Sequence, residues 1–136
     1  MTKPARTPER EWQRTLVELL EAFGYVVEHT YPLRTQHGWR TGSTLDGKPD
    51  LMALRPPRLL AIECKSDTGR LTPRQVAVLS LHAEVPCHRA WVLRPTDPWP
   101  DIVEWVRRPA SAPVTFGFEP MARQAAWLLL RGKQAR

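Results

Sequence analysis

A chain of 136 residues, 42% hydrophobic and 25% charged, is long enough to bury a core without staples and argues for one domain rather than two. Twenty Lys and Arg against 14 Asp and Glu leave a formal charge of +6, which favours a polyanionic partner, nucleic acid before an anionic membrane surface. Two cysteines, Cys64 and Cys87, exclude a disulfide-dense scaffold, and neither MTKPARTPEREW nor the apolar run 125–130 has the make-up of a leader or a membrane span. The expectation is a soluble cytoplasmic protein.

In chain order, Thr7-Pro8 reads as a helix start, with Thr as N-cap and Pro at the first helical position. Trp12, Leu16, Leu19, Leu20 and Phe23 follow at helical spacing, and Gly24 ends the helix in the usual glycine position. Residues 25–31, YVVEHTY, are β-branched and aromatic and read as a strand. Residues 32–48 carry Pro, Gly, Ser and Asp without a period and read as a long loop. Strands are expected at 50–54 and 59–65, joined by Arg55-Pro56-Pro57-Arg58. Thr72-Pro73-Arg74-Gln75 opens a second helix to about Glu84. A strand at 89–94, a short helix at 101–107, a break at 109–113, a short strand within 114–118 and a last helix over 121–131 complete the chain. The expected class is α/β with the core order αβββαβ; residues 1–108 form the main domain, and 109–136 form a helical extension packing on it or on a dimer partner.

The chemistry concentrates where LLAIECK runs into GRLTPRQ. Side chains of a strand alternate faces, so Glu63 and Lys65 share one face while Leu60, Ile62 and Cys64 bury on the other. A symmetric hairpin about Pro56-Pro57 places Asp50 opposite Glu63, with Cβ atoms about 4.5–5.5 Å apart. Two carboxylates so placed repel, and a hard divalent cation such as Mg²⁺ removes the repulsion. Lys65 beside them suits orienting a water or steadying a phosphate oxygen. The plainer alternative makes Asp50 a turn cap and Glu63–Lys65 an exposed pair on a solvated strand face.

The ordered set Gly47-Lys48-Pro49-Asp50-Leu51, Glu63-Cys64-Lys65 and Gly69-Arg70-Leu71-Thr72-Pro73-Arg74-Gln75 resembles the VRR-NUC branch of the PD-(D/E)XK nuclease superfamily, over roughly residues 7–106. The resemblance implies a restriction-endonuclease-like core and a metal-dependent DNA endonuclease. It makes Asp50, Glu63 and the backbone carbonyl of Cys64 ligands of Mg²⁺, with Mn²⁺ as a substitute, and Lys65 the catalytic lysine. Gln75 corresponds to the family's glutamine near the site; it also fits a capping box with Thr72, and one side chain can serve both. Glu9 matches the family's acidic residue on the first helix, where a dipole-complementing role is the alternative. Small standalone relatives imply a bacterial or phage setting, branched DNA with Holliday junctions foremost, and a homodimer whose two-fold axis matches the junction.

The chain departs from the family in the length of 32–48, where Arg34, His37, Trp39, Arg40 and Lys48 interleave cations with an aromatic ring. Arg34, Arg40, Lys48, Arg70 and Arg74 are the expected DNA contacts. His29, His37, His82 and His88 lack zinc-ligand spacing with the cysteines, and no serine belongs to a Ser–His–acid pattern. Trp12 and Trp91 read as core, while Trp127 with 128–130 makes an apolar patch suited to packing or to a dimer contact. A monomeric flap or restriction-like nuclease, and a DNA-binding module without catalysis, are the competing functions.

Overall fold

The computed structural model describes residues 8–29, 32–35, 38–41 and 45–134; for 32–35, 38–41 and 133–134 it describes the backbone alone. Helix α1 spans Glu9–Ala22, with Pro8 in the cap position. Thr7, the expected N-cap, lies outside the described residues. The helix ends as the sequence anticipates. Gly24 takes a positive φ of 86°, its N–H donates to the Glu21 carbonyl, and the Tyr25 N–H donates to Leu20, the paired bonds of a Schellman ending. Strand β1 follows at Val26–His29.

Residues 32–48 hold more structure than the expected loop. Strand β2, Pro32–Thr35, pairs antiparallel with β3, Gly38–Thr41, as a separate two-stranded sheet. The pairing is local, so Pro and Gly at the strand starts do not prevent it. Strand β4, Leu51–Arg55, then turns into β5, Arg58–Cys64, in the symmetric register expected, Arg55 facing Arg58 and Leu51 facing Ile62. Helix α2, Pro73–Glu84, crosses to β6, His88–Leu93, which lies parallel to β5. Helix α3, Trp99–Arg107, a short 3₁₀ turn at Pro109–Ser111, strand β7 at Thr115–Phe116 and helix α4, Arg123–Gln134, follow.

The result is a mixed α/β protein. Its five-stranded sheet runs β1-β4-β5-β6-β7, antiparallel through β5 and parallel beyond. One face carries α1 and α3. Trp12, Leu16, Leu20, Ile102 and Val106 pack there against Leu60, Ile62, Trp91 and Leu93 in the main core. Buried polar ends are satisfied on this face: the Trp12 indole N–H donates to the Leu93 carbonyl (2.8 Å) and the Tyr25 hydroxyl to Val106 (3.0 Å). The other face carries α2, with Leu79 over Ala61, Ala90 and Val92. Helix α4 lies behind α2 and buries Ala126 and Leu130 against Ala77 and Val78, so residues 109–134 add a strand to the sheet and a helix to α2. The Met121 N–H donates to Ser80 Oγ at 2.8 Å, which fixes the approach of α4. Trp127 and Leu128 remain exposed on its outer side.

Candidate active site

The end of β5 sets the site. Leu60, Ile62 and Cys64 point into the main core, whereas Ala61 and Glu63 point to the α2 side, and Glu63 is 2% exposed. The β4–β5 ladder stops at Leu51–Ile62, one residue short of Asp50. There the side chain of Asp50 replaces the missing backbone acceptor: the Cys64 N–H donates to Asp50 Oδ2 at 2.9 Å. In an extended strand a residue's N–H and C=O point to the same side, so the Cys64 carbonyl faces the Asp50 side as well. The Cys64 thiol belongs to the core, and burial, with Asp50 and Glu63 nearby, pushes its pKa well above the usual thiol value. Only the Cys64 backbone is available to the site.

Glu63 is the unusual group. Its Oε1 accepts a hydrogen bond from Gln75 Nε2 at 3.2 Å and stands 3.6 Å from Lys65 Nζ. Its Oε2 is buried, and no N–H or O–H donor reaches it among the described residues. Burial foremost, then the charge of Asp50 and a proton shared with it, push the Glu63 pKa up to about 9; Lys65 opposes the shift and Glu9 adds to it. Alone, this carboxyl keeps its proton at neutral pH. A divalent cation bound here would reverse that preference, because it would be the largest local charge and the donorless oxygen could coordinate it.

The residues present therefore fit a hard cation held by Asp50, Glu63 and the Cys64 carbonyl. A larger side-chain cage is absent: among the described residues no group of three or more His, Cys, Asp and Glu is placed to hold a metal. Glu9, in the first turn of α1, is exposed and acts on Glu63 by charge.

Gln75 makes a cap contact and a Glu63 contact at once. Its Oε1 accepts from the Thr72 N–H (2.9 Å), completing a capping box in which Thr72 Oγ1 accepts from the Gln75 N–H, while its Nε2 holds Glu63. Lys65 is 13% exposed, and its stem is lined by the turn 66–69, since a Cβ on Gly69 would stand 3.4 Å from Lys65 Cδ. That turn is held from the loop after β6, where Arg94 donates to the Ser66 carbonyl and the Thr96 N–H to Asp67. Sequence reasoning had not singled out Arg94, Ser66 or Asp67, because the contacts join segments nearly thirty residues apart and leave no local pattern.

The five basic residues expected on DNA have different surroundings. Arg70 is exposed. Lys48 pairs with Glu28 of β1. Arg74 is 13% exposed and turned toward Asp46. The side chains of Arg34 and Arg40, with those of His37 and Trp39, lie outside the described residues.

No protein-family model, no curated protein and no solved structure matches the chain. Among the described residues no helix is long and apolar enough to cross a membrane.

Proposed function

We propose that the protein is a divalent-cation-dependent endodeoxyribonuclease of the VRR-NUC kind, acting on branched DNA. The observation that carries this reading is the buried Glu63 carboxyl, with one oxygen lacking a donor, set between Asp50, Lys65 and Gln75. A buried carboxyl so placed costs stability and is a poor choice for structure alone. With the hairpin β2–β3 set aside, the order α1-β1-β4-β5-α2-β6 supports the nuclease core.

Asp50, Glu63 and the Cys64 carbonyl would hold Mg²⁺ or Mn²⁺. When bound, the cation supplies a polarised phosphate oxygen and a water of lowered pKa. Gln75 fixes the rotamer of Glu63. Lys65 aligns the attacking water and offsets the charge that develops on the phosphate oxygens as the phosphodiester bond breaks. Arg70 and the net charge of +6 grip the DNA backbone in a salt-dependent way. A homodimer would present two such sites to a two-fold symmetric four-way junction.

A second reading, a DNA-binding module without catalysis, draws on the lack of a third side-chain ligand among the described residues. Labelled four-way junction, linear duplex and flap DNA, each incubated with Mg²⁺, Mn²⁺ or EDTA, separate these readings. Paired symmetric cuts in the junction that vanish in EDTA are expected. Cutting of flap or linear DNA instead would redirect the substrate, and tight binding without cutting in any metal would leave the binding module.

A further inference from the structure

We propose that Arg74 is a positioning residue: with Asp46 and Gly47 it clamps the turn ahead of β4 onto the first turn of α2, and so sets where the Asp50 carboxylate stands beside Cys64 and Glu63. The importance of that placement rests on the nuclease reading, but the clamp itself is a matter of geometry.

The turn is the four-residue segment 45–48, closed by the Lys48 N–H donating to the Leu45 carbonyl at 3.2 Å. Its third residue, Gly47, has φ +92°, which a side chain would strain. A Cβ there would also stand 2.9 Å from the carbonyl carbon and oxygen of Arg74, so the turn lies directly on the α2 backbone. Leu45 packs into the α2–α4 apolar cluster beside Ala77, Val78, Ala126 and Leu130. Arg74 reaches back across this contact. Its Nε donates to the Asp46 carbonyl at 3.2 Å and lies 3.3 Å from Asp46 Oδ2.

Only Pro49, which is buried, separates this turn from Asp50. The first turn of α2 thus governs both carboxylates. Gln75 holds Glu63 directly, and its neighbour Arg74 holds Asp50 through the turn.

A DNA contact fits Arg74 less well. The side chain is 13% exposed and its Nε is committed to Asp46. Its Nη1 is buried without an acceptor among the described residues. A buried N–H of this kind is out of reach of a DNA phosphate.

The test reads Asp50 directly, through the Cys64 N–H that it accepts. In the metal-free, ¹⁵N-labelled full chain, Arg74→Met and Gly47→Ala should speed exchange of the Cys64 amide relative to that of Ile62 by about tenfold. Mg²⁺ affinity, measured by calorimetry on the same proteins, should fall by about tenfold, as for loss of an outer-shell partner of a metal site. Arg74→Lys, which keeps the charge but not the planar donor, should restore only part of either. Unchanged Cys64 exchange in folded Arg74→Met protein overturns the clamp. Wild type that takes up no Mg²⁺ while its Cys64 amide responds to Arg74→Met leaves the clamp standing and removes the metal-dependent reading. Where Arg74→Met does not fold, Asp46→Asn, which retains the carbonyl acceptor, should move Cys64 exchange about threefold in the same direction; no movement overturns the proposal.

Discussion

Replacing Glu63 by Gln should stabilise the metal-free protein at neutral pH and abolish its stabilisation by Mg²⁺. In the folded chain the Glu63 pKa is pushed from the usual 4.5 to about 9 by burial and by Asp50. Between those values the unfolded chain releases the proton and the folded chain keeps it, so each pH unit upward favours unfolding. The cost is absent below pH 4.5, grows through the interval and levels off above about 9. At roughly 1.4 kcal/mol per unit, it reaches about 3 kcal/mol at neutral pH. Gln matches the neutral carboxyl in shape and cannot ionise. Its Tm in EDTA should therefore exceed that of wild type by on the order of 10 °C at neutral pH and converge with it toward pH 4.5. Mg²⁺ at ten times its Kd should return about 1.4 kcal/mol to wild type and nothing to the variant. Thermal unfolding of both proteins across this pH range, with EDTA and with Mg²⁺, checks all three statements. Parallel pH curves for the two proteins in EDTA would refute the reasoning, since they would mean that Glu63 is an ordinary solvated carboxylate.

Gln75→Glu separates the cap from the site: glutamate caps the helix equally well but removes the donor to Glu63 Oε1 and adds a carboxylate beside it. A loss of about 1–3 kcal/mol by urea unfolding at neutral pH is expected, whereas a pure cap would leave the midpoint unchanged. Gly117→Ala should lose about 2 kcal/mol or more, because φ is +84° and the new Cβ would overlap the Val92 carbonyl oxygen. Wild-type urea midpoints check that value. Burial and the neighbouring His88 lower the pKa of His82 below its usual 6.5, so the unfolded chain protonates first. Stability should fall as pH drops below 6.5, and His82→Leu should flatten that limb of the curve.

Much of the fold was legible because its signals are local. The Trp12–Leu20 spacing, the Gly24 ending and the Thr72–Gln75 box each act within one or two helical turns. The hairpin register followed from the symmetry of Arg55-Pro56-Pro57-Arg58, and with it the approach of Asp50 to the end of β5. The strands β2 and β3 were not legible. Four-residue segments opening on Pro32 and Gly38 carry no period, and only their pairing makes them strands. Arg74 shows the same limit at the site. Its charge is visible in the sequence, but its partner Asp46 is 28 positions away, and only the fold reveals that the side chain turns inward. The burial of Glu63 beneath α2 was not legible, since its side chain faces away from Leu60 and Ile62 and only the packing of α2 closes that face; the donorless oxygen was not legible either.

The most direct test of the central claim is single-turnover cleavage of a labelled four-way junction by wild type and Lys65→Ala in Mg²⁺, with junction binding measured in parallel. The site predicts that the variant binds the junction about as wild type does, while its cleavage rate falls by at least about a hundredfold. Equal cleavage by both proteins, or none by either in any metal, would contradict it.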